Sequence, residues 1–191
     1  MARILVIDES QQRAVEICTG LIKARHQLAA VLPSALELIA RIEEIKPDII
    51  LIETESPSRD TLENLAVMSR DMPRPVIILT QDGDQDVMRT ALRAGVSAYV
   101  VDNVDLARLP PIIDVAVVRF EAHQEIREEL ADATRKLSER KLIDRAKGIL
   151  MKTRGLDEEA AYAALRTRAM ERAQSLGQTA AELIEMAKFL L

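Results

Sequence analysis

The sequence predicts an α/β fold in which a doubly wound parallel sheet is followed by a long helix and a small helical module. Four short apolar runs, each closed by polar residues, predict strands that are buried on both faces. Helix-length stretches separate these runs, and repeated strand–helix units build a parallel sheet with right-handed crossovers. From Ile112 onward the apolar spacing is helical only. The 191 residues are enough for one large or two small domains.

The predicted strands cover residues 3–7, 49–52, 76–79 and 98–101, and Val31 marks a further, weaker strand. Between the strands, apolar residues recur at the three- and four-residue steps of a helix. The residues that mark these helices are Val15, Leu21 and Ile22, then Leu36, Ile39, Ala40 and Ile42, and later Val87, Ala91, Leu92 and Gly95. Strand and helix therefore alternate through the N-terminal part of the chain.

Polar residues follow the predicted strands at the sheet edge where functional groups gather in doubly wound folds. Asp8 and Glu9 follow the first strand, and Glu53, Thr80 and Asp102 follow three later strands. Ordinary polar strand ends are one interpretation, but several acidic residues and a hydroxyl at one edge favour a functional pocket. Clustered carboxylates also suit Mg²⁺, so a residual magnesium site at Asp8, Glu9 and Glu53 stays open.

These strand ends resemble the receiver domain of response regulators over about residues 1–120. Asp8 and Glu9 match the family's acidic pair, Thr80 matches its switch hydroxyl and Tyr99 matches its aromatic residue on the fifth strand. The resemblance implies a flavodoxin-like fold. It also places Glu53 at the position of the family's phosphoacceptor Asp.

Two departures from the family pattern predict that the pocket does not use the ordinary phosphorylation switch. Glu53 keeps a carboxylate, but its extra methylene displaces the oxygens, and in-line phosphoryl transfer needs accurate positioning. Val101, Asp102 and Asn103 stand where the family has Lys-Pro. The cation that would pair with a phosphoryl oxygen is therefore missing. One interpretation of Glu53 is that it mimics an activated carboxylate.

A long helix is predicted from the proline pair at 110–111 to about residue 154, because proline is tolerated in a first helical turn. Ile113, Val117 and Phe120 are expected to pack this helix on the sheet. Farther on, apolar residues recur at alternating steps of four and three, which predicts a coiled-coil seam. The seam residues are Ile126, Leu130, Ala133 and Leu137. We expect a parallel homodimer through this seam; the alternative is a single helix lying on its own domain.

Charge is divided unevenly, and this division points to an anionic partner. The whole chain has a net charge of −5, yet residues 131–191 carry twelve Lys and Arg against nine Asp and Glu. Such a basic stretch suits an anionic polymer. Only four residues are aromatic, which argues against a binder that stacks bases on several rings.

Helical geometry separates two faces over residues 141–152. The apolar residues Leu142, Ile143, Ala146, Ile149 and Leu150 share an arc of about 120°. The opposite side carries Lys141, Arg145, Gly148 and Lys152. At Gly148 the missing side chain would let a ligand backbone approach closely, and close helix packing is the alternative.

Helix punctuation predicts two more helices after this one. Gly155 ends the long helix and Asp157 caps the second. Gly177 is expected to end the second helix. Thr179 and Glu182 form a predicted capping box for the third. The C-terminal module is therefore expected to contain three helices.

The stretch R-K-L-I-D-R-A-K-G-I-L-M (140–151), with G-L-D-E-E-A-A-Y-A-A-L-R (155–166), resembles the ANTAR RNA-binding domain of transcription antitermination regulators. The resemblance implies a dimer that binds paired hairpins in a leader RNA and prevents a terminator from forming. It assigns RNA contacts to Arg145, Lys147, Gly148 and Lys152, and adds Lys141, Tyr162 and Arg166 to the same surface. For Tyr162 a packing role is the alternative. The expected domains are 1–120 (receiver), 121–138 (coiled-coil linker helix) and 139–191 (ANTAR).

The run E-S-P-S-R-D-T-L-E-N-L (55–65) resembles NasT-type regulators of nitrate and nitrite assimilation. That resemblance implies a NasS-like nitrate-sensing partner, which holds the protein inactive until nitrate binds. Sequestration by a protein would then replace phosphorylation.

Three other classes of function compete with RNA binding. A DNA-binding response regulator needs a sharp turn before its recognition helix, which residues 153–157 match poorly. An acidic protein could instead dock on the basic helix. An enzyme is least expected, because no nucleophile–base pair or phosphate loop is present. We expect no cofactor, because the chain has one cysteine, Cys18, and two histidines that are distant in the sequence, His26 and His123. Because the sequence shows no signal peptide and no membrane span, we expect a cytoplasmic protein.

Overall fold

The computed structural model describes residues 1–35, 38–102 and 105–190. Leu36 and Asn103, which the sequence patterns above include, lie outside the described residues. Contacts divide the chain into two compact units, Met1–Gln124 and Glu125–Leu191.

Strands and helices alternate through the first unit, and three helices complete the chain. The first elements are β1 (Arg3–Asp8), α1 (Gln11–Lys23), β2 (Gln27–Leu32), α2 (Leu38–Ile45), β3 (Ile49–Thr54), α3 (Arg59–Asp71), β4 (Val76–Thr80), α4 (Gln85–Arg93) and β5 (Ala98–Val101). A short 3₁₀ turn, Leu106–Arg108, leads into α5 (Leu109–Arg154), followed by α6 (Glu158–Glu171) and α7 (Leu176–Leu190). None of the helices in the described residues combines the length and apolar character needed to cross a membrane.

The sheet is parallel throughout, with the strand order β2-β1-β3-β4-β5. This order confirms the predicted flavodoxin-like fold. The weak strand predicted at Val31 is β2, an edge strand whose residues are half-buried or exposed. In the central strands, Asp8 pairs with Glu53, and Thr80 pairs with Thr54. The register therefore brings the polar strand ends to one edge of the sheet.

The core of the first unit lies on both faces of the sheet, because successive residues of β1, β3 and β4 point to opposite sides. One face packs against α2, α3 and α4, and the other against α1 and the start of α5. Strand residues on the first face include Leu5, Ile7, Ile50, Ile52 and Ile78, and those on the second include Ile4, Val6, Leu51, Ile77 and Leu79. Full burial of each such side chain contributes about 1.5–3 kcal/mol.

The helix α1 faces the sheet through Ala14, Ile17 and Leu21. Val15 and Ile22 are exposed. Two of the three apolar residues that marked this helix in the sequence therefore do not belong to the core.

The first turns of α5 pack on the sheet as expected. Ile113 is buried, and Val117 packs against the same cluster while half-buried. Phe120, one turn farther, is half-buried. The helix begins at Leu109, so the proline pair lies in its first turn. Backbone N–H groups in this turn have no acceptor within the helix, so the prolines, which lack this group, lose no hydrogen bond there.

The second unit has a small core made by the C-terminal turns of α5 together with α6 and α7. Its buried residues are Ala146, Leu150, Ala161, Leu165, Ala180 and Ile184. The apolar arc predicted for α5 therefore faces this core. Gly155 follows α5 with a φ of +66°, and Asp157 Oδ1 accepts a hydrogen bond from Ala160 N at 2.7 Å. Both predicted helix boundaries are confirmed.

The third helix begins earlier than predicted. Ser175 Oγ accepts from Gln178 N at 3.2 Å, and Gln178 Oε1 accepts from Ser175 N at 3.0 Å. This reciprocal pair is a capping box, and it lies before the one predicted at Thr179. Thr179 is buried in the first turns of α7, where its hydroxyl donates to Ser175 O. Because Ser-x-x-Gln satisfies the same backbone groups, the helix starts at Leu176.

Gly177 does not end the second helix, so that prediction was wrong. The helix α6 ends at Glu171, and Gly177 lies inside α7. A Cβ atom at Gly177 would lie 3.1 Å from Cγ of Glu139 on α5. The glycine therefore allows α7 to approach α5 closely.

Candidate functional site

The carboxyl ends of β1 and β3 form a polar pocket, the receiver pocket, around Asp8, Arg13 and Glu53. Asp8 and Glu53 lie opposite each other on neighbouring strands, and only 5% and 8% of their surfaces are exposed. Glu9 is exposed at the rim. Burial raises the pKa of Asp8 and of Glu53 above their ordinary values. The structure thus brings together two of the three predicted acidic residues as buried neighbours.

Arg13, which the sequence analysis missed, supplies positive charge to this pocket. Its Nη2 lies 2.5 Å from Oε1 of Glu53. The guanidinium lowers the pKa of both carboxyls, but less than burial raises it. Arg13 is in the first turn of α1, which Ser10 caps, and Ser10 N donates to Asp8 Oδ1 at 2.7 Å. The signal in the sequence that could have pointed to Arg13 is its position, three residues after the serine that caps α1.

The switch residues Thr80 and Tyr99 are bound to the loops around the pocket. The Thr80 hydroxyl donates to Glu55 O at 2.7 Å, and the Tyr99 hydroxyl donates to Asp82 O at 3.1 Å. Ser56 Oγ donates to Asp82 Oδ2 at 2.5 Å. This hydrogen bond lowers the pKa of Asp82. The loops after β3 and β4 are therefore cross-linked, and Ser56 and Asp82 are contacts that the sequence pattern did not reveal.

The residue after β5 supplies no cation. Asp102 is exposed with a φ of +77°, and its N–H donates to Thr80 O at 3.0 Å. Among the described residues that line the receiver pocket, Arg13 is the one cation.

The receiver pocket does not fit Mg²⁺ as its donors stand. One oxygen of Glu53 already faces the Arg13 guanidinium, and a hard cation would have to displace that charge. The described parts of the chain contain no group of three or more His, Cys, Asp or Glu side chains arranged to hold a metal ion. Asp8 Oδ2 and Glu53 Oε2 are nonetheless buried without a hydrogen-bond partner.

A second candidate site lies on the C-terminal turns of α5. Lys141, Arg145, Gly148 and Lys152 are all exposed there, as the helical spacing predicts, and we call them the basic row. Among the ion pairs of residues 1–35, 38–102 and 105–190, none involves Lys141, Arg145 or Lys152. Apart from the neighbouring residues and backbone of its own helix, no heavy atom of the described residues lies within 4 Å of the position that a Cβ atom of Gly148 would take. Close helix packing therefore does not explain this glycine within the second unit.

Lys147 differs from the basic row. Its Nζ lies 2.7 Å from Glu158 Oε1 and 2.9 Å from Asp144 Oδ1, and its side chain is only 16% exposed. These hydrogen bonds raise the pKa of Lys147. Since Glu158 begins α6, the ammonium links α5 to α6. The sequence spacing alone did not show this difference.

The remaining predicted residues are exposed. Tyr162 is 45% exposed on α6, and Arg166 lies one turn farther on the same helix. The seam residues of α5 are exposed as well: Ile126, Leu130 and Leu137 by 56–66%, with Ala133 between them. Exposed apolar residues at this spacing are expected for a coiled-coil seam in a single chain without its partner helix.

The comparisons with known proteins match both parts of the chain. Residues 4–114 match the response regulator receiver domain, and residues 131–184 match the ANTAR domain. Transcriptional regulatory protein PdtaR of Mycobacterium tuberculosis is 26% identical over 183 residues, which cover 96% of this chain and 89% of that protein. Chemotaxis protein CheY of Listeria monocytogenes is 26% identical over 102 residues, or 53% of this chain and 86% of that protein.

Solved structures show the receiver fold of the first unit. A CheY-like receiver domain from Methanospirillum hungatei has a TM-score of 0.56 at 21% identity, and covers 64% of this chain and 98% of its own. The receiver domain of a modulated diguanylate cyclase from Desulfovibrio desulfuricans has the same TM-score and coverage at 18% identity.

Proposed function

This chain belongs to the response regulators with a receiver domain and carries an ANTAR domain after it, and on that premise we propose that it is an RNA-binding transcription antiterminator. It binds paired hairpins in a leader RNA and prevents a terminator from forming, so that polymerase reads through. The observation that supports this role best is the basic row, whose cations lie exposed beside an open glycine.

The geometry of the basic row suits the backbone of a folded RNA. Residues at steps of four, three and four lie on one side of a helix, and the eleven steps from Lys141 to Lys152 span about 16 Å. Cations without a carboxylate partner can neutralise phosphates without first breaking an ion pair. With few aromatic residues, recognition would depend on phosphates, loop shape and a few base edges. Tyr162 and Arg166 supply further exposed groups from α6.

We propose that two copies act together through the seam of α5. The exposed apolar residues of the seam would be covered by the same residues of a second chain, as in a parallel coiled coil. A parallel dimer would present two basic rows, one for each hairpin of a paired target.

Regulation is proposed to come from a protein partner and not from phosphorylation. Glu53 faces Arg13, and residues 101–103, which stand where the family has Lys-Pro, include the exposed Asp102. A NasS-like nitrate sensor, and nitrate or nitrite assimilation genes as targets, are proposed from the 55–65 segment. In that segment Pro57, Leu62 and Leu65 are buried in the fold, so its exposed polar residues are the ones a partner could contact.

Gel shifts test the RNA-binding role. The RNA that is pulled down with the protein is identified by sequencing, and its hairpins are then compared with duplex DNA of the same sequence. The protein is expected to bind the hairpin RNA more tightly than the duplex. The double variant Arg145→Ala/Lys152→Ala should bind at least about tenfold more weakly, and each lost phosphate contact should reduce the salt slope by about 0.7–0.9.

Two variants serve as controls for this test. Lys188→Ala removes an exposed cation that pairs with Glu185 on α7, and it should leave binding unchanged. Lys147→Ala removes the ion pair that links α5 to α6, so we expect lower thermal stability with the salt slope preserved. Equal affinity of the double variant and the wild type, or tighter binding to duplex DNA, would contradict the proposal.

A further inference from the structure

The receiver pocket holds a cation of its own. Asp8 Oδ1 accepts from Ser10 N, and Ser10 caps α1 by accepting from Arg13 N. These contacts fix the start of α1, and Arg13 lies in its first turn at the receiver pocket. There Arg13 Nη2 meets Glu53 Oε1 at 2.5 Å.

The charges of the pocket explain what this guanidinium does. Asp8 and Glu53 are buried neighbours on paired strands, and two close carboxylates repel each other in a poorly hydrated site. Each also has one buried oxygen without a hydrogen-bond partner, Asp8 Oδ2 and Glu53 Oε2. These oxygens would attract a divalent cation if no positive charge were already present.

We propose that the Arg13 guanidinium is the built-in counter-ion of the receiver pocket and excludes divalent cations from it. A cation that entered between Asp8 and Glu53 would meet a fixed positive charge on one of its ligands. Removal of that charge should convert the pocket into a cation site whose protein ligands are the carboxylates of Asp8 and Glu53. The inference concerns the first unit, so it does not depend on RNA binding.

Titration of the full chain with Mn²⁺, followed by the loss of the free-ion electron paramagnetic resonance signal, tests this proposal. The variants Arg13→Met and Arg13→Gln should each bind one Mn²⁺ at least about tenfold more tightly than the wild type, because a unit charge a few ångströms away is removed. Mg²⁺ should displace the bound Mn²⁺.

Three controls locate the effect. Lys23→Met removes a cation from the last turn of the same helix and should behave as the wild type. Arg13→Lys keeps a positive charge and should still exclude the ion. Arg13→Gln/Glu53→Gln removes a proposed ligand and should lose the gained binding.

The proposal is overturned if the wild type binds Mn²⁺ as tightly as Arg13→Met and Arg13→Gln do, and if Glu53→Gln alone abolishes this binding. It is equally overturned if neither Arg13→Met nor Arg13→Gln, each folded by circular dichroism, binds more tightly than Lys23→Met.

Discussion

Glu53 and Asp8 are carboxyls whose burial disfavours the charged form, and this makes the pocket sensitive to pH. Burial is the main cause that raises the pKa of both groups, and Arg13 opposes it in part. A carboxyl with a higher pKa in the folded chain than in the unfolded chain binds its proton more readily when folded. Protonation therefore favours the folded first unit.

The pH dependence of stability follows from that direction. The ordinary pKa of a carboxyl group is about 4. As the pH rises from there through the raised pKa values of the folded chain, the contribution of these groups to the free energy of unfolding should fall. Glu53→Gln removes one of the two titrating carboxyls, so its stability should fall less over this interval than that of the wild type. Urea unfolding followed by circular dichroism at several pH values measures the difference.

Glu55→Gln is the matched control, since it removes an exposed carboxylate two residues away. This variant should keep the pH dependence of the wild type. A Glu53→Gln protein whose stability declines as steeply as that of the wild type would count against the assignment.

At single positions, the sequence predicted which residues are polar strand ends but not what they contact. Asp8 and Glu53 follow apolar runs, so their place at the sheet edge could be predicted from the strands. The contact of Arg13 with Glu53 depends on how α1 leaves β1, which no periodicity encodes. Lys147 and Arg145 look alike in the sequence, yet one binds two carboxylates and the other lies exposed.

Among the elements, α5 combines three surfaces along one helix. Its first turns pack on the sheet, its middle carries the exposed seam, and its last turns face the core of the second unit. The helical spacing predicted all three, because each has its own apolar pattern. It could not predict where α7 begins, since two consecutive capping boxes are available, and the close packing of Gly177 against Glu139 favours the earlier start.

The seam makes a prediction about oligomeric state. Leu130→Glu/Leu137→Glu places like charges at facing positions of a parallel dimer, and these charges repel each other in an apolar interface. We expect the wild type to be a dimer and this variant a monomer by sedimentation equilibrium.

Val15→Glu is a suitable comparison, because it also replaces an exposed apolar residue by a charge, but on α1. It should leave the dimer intact. A wild-type monomer at micromolar concentration, or a double variant that stays dimeric, would rule out this seam as the interface.

In the whole molecule, acidic and basic residues are segregated along the chain. The net charge of −5 is the sum of an acidic N-terminal part and a basic C-terminal part. The receiver fold and the ANTAR domain were both predicted from the sequence, and the family comparisons confirm them. The RNA target, its genes and the sensor stay proposals, because their recognition depends on exposed residues whose partners the fold does not specify.

Single-round transcription tests the antiterminator role most directly, on a template whose leader is the RNA recovered with the protein. The fraction of read-through transcripts should rise with protein concentration and saturate where the hairpins are fully bound. Arg145→Ala/Lys152→Ala should not raise it at the same concentration. Unchanged read-through with the wild-type protein, at concentrations that saturate the hairpins, would contradict the proposed function.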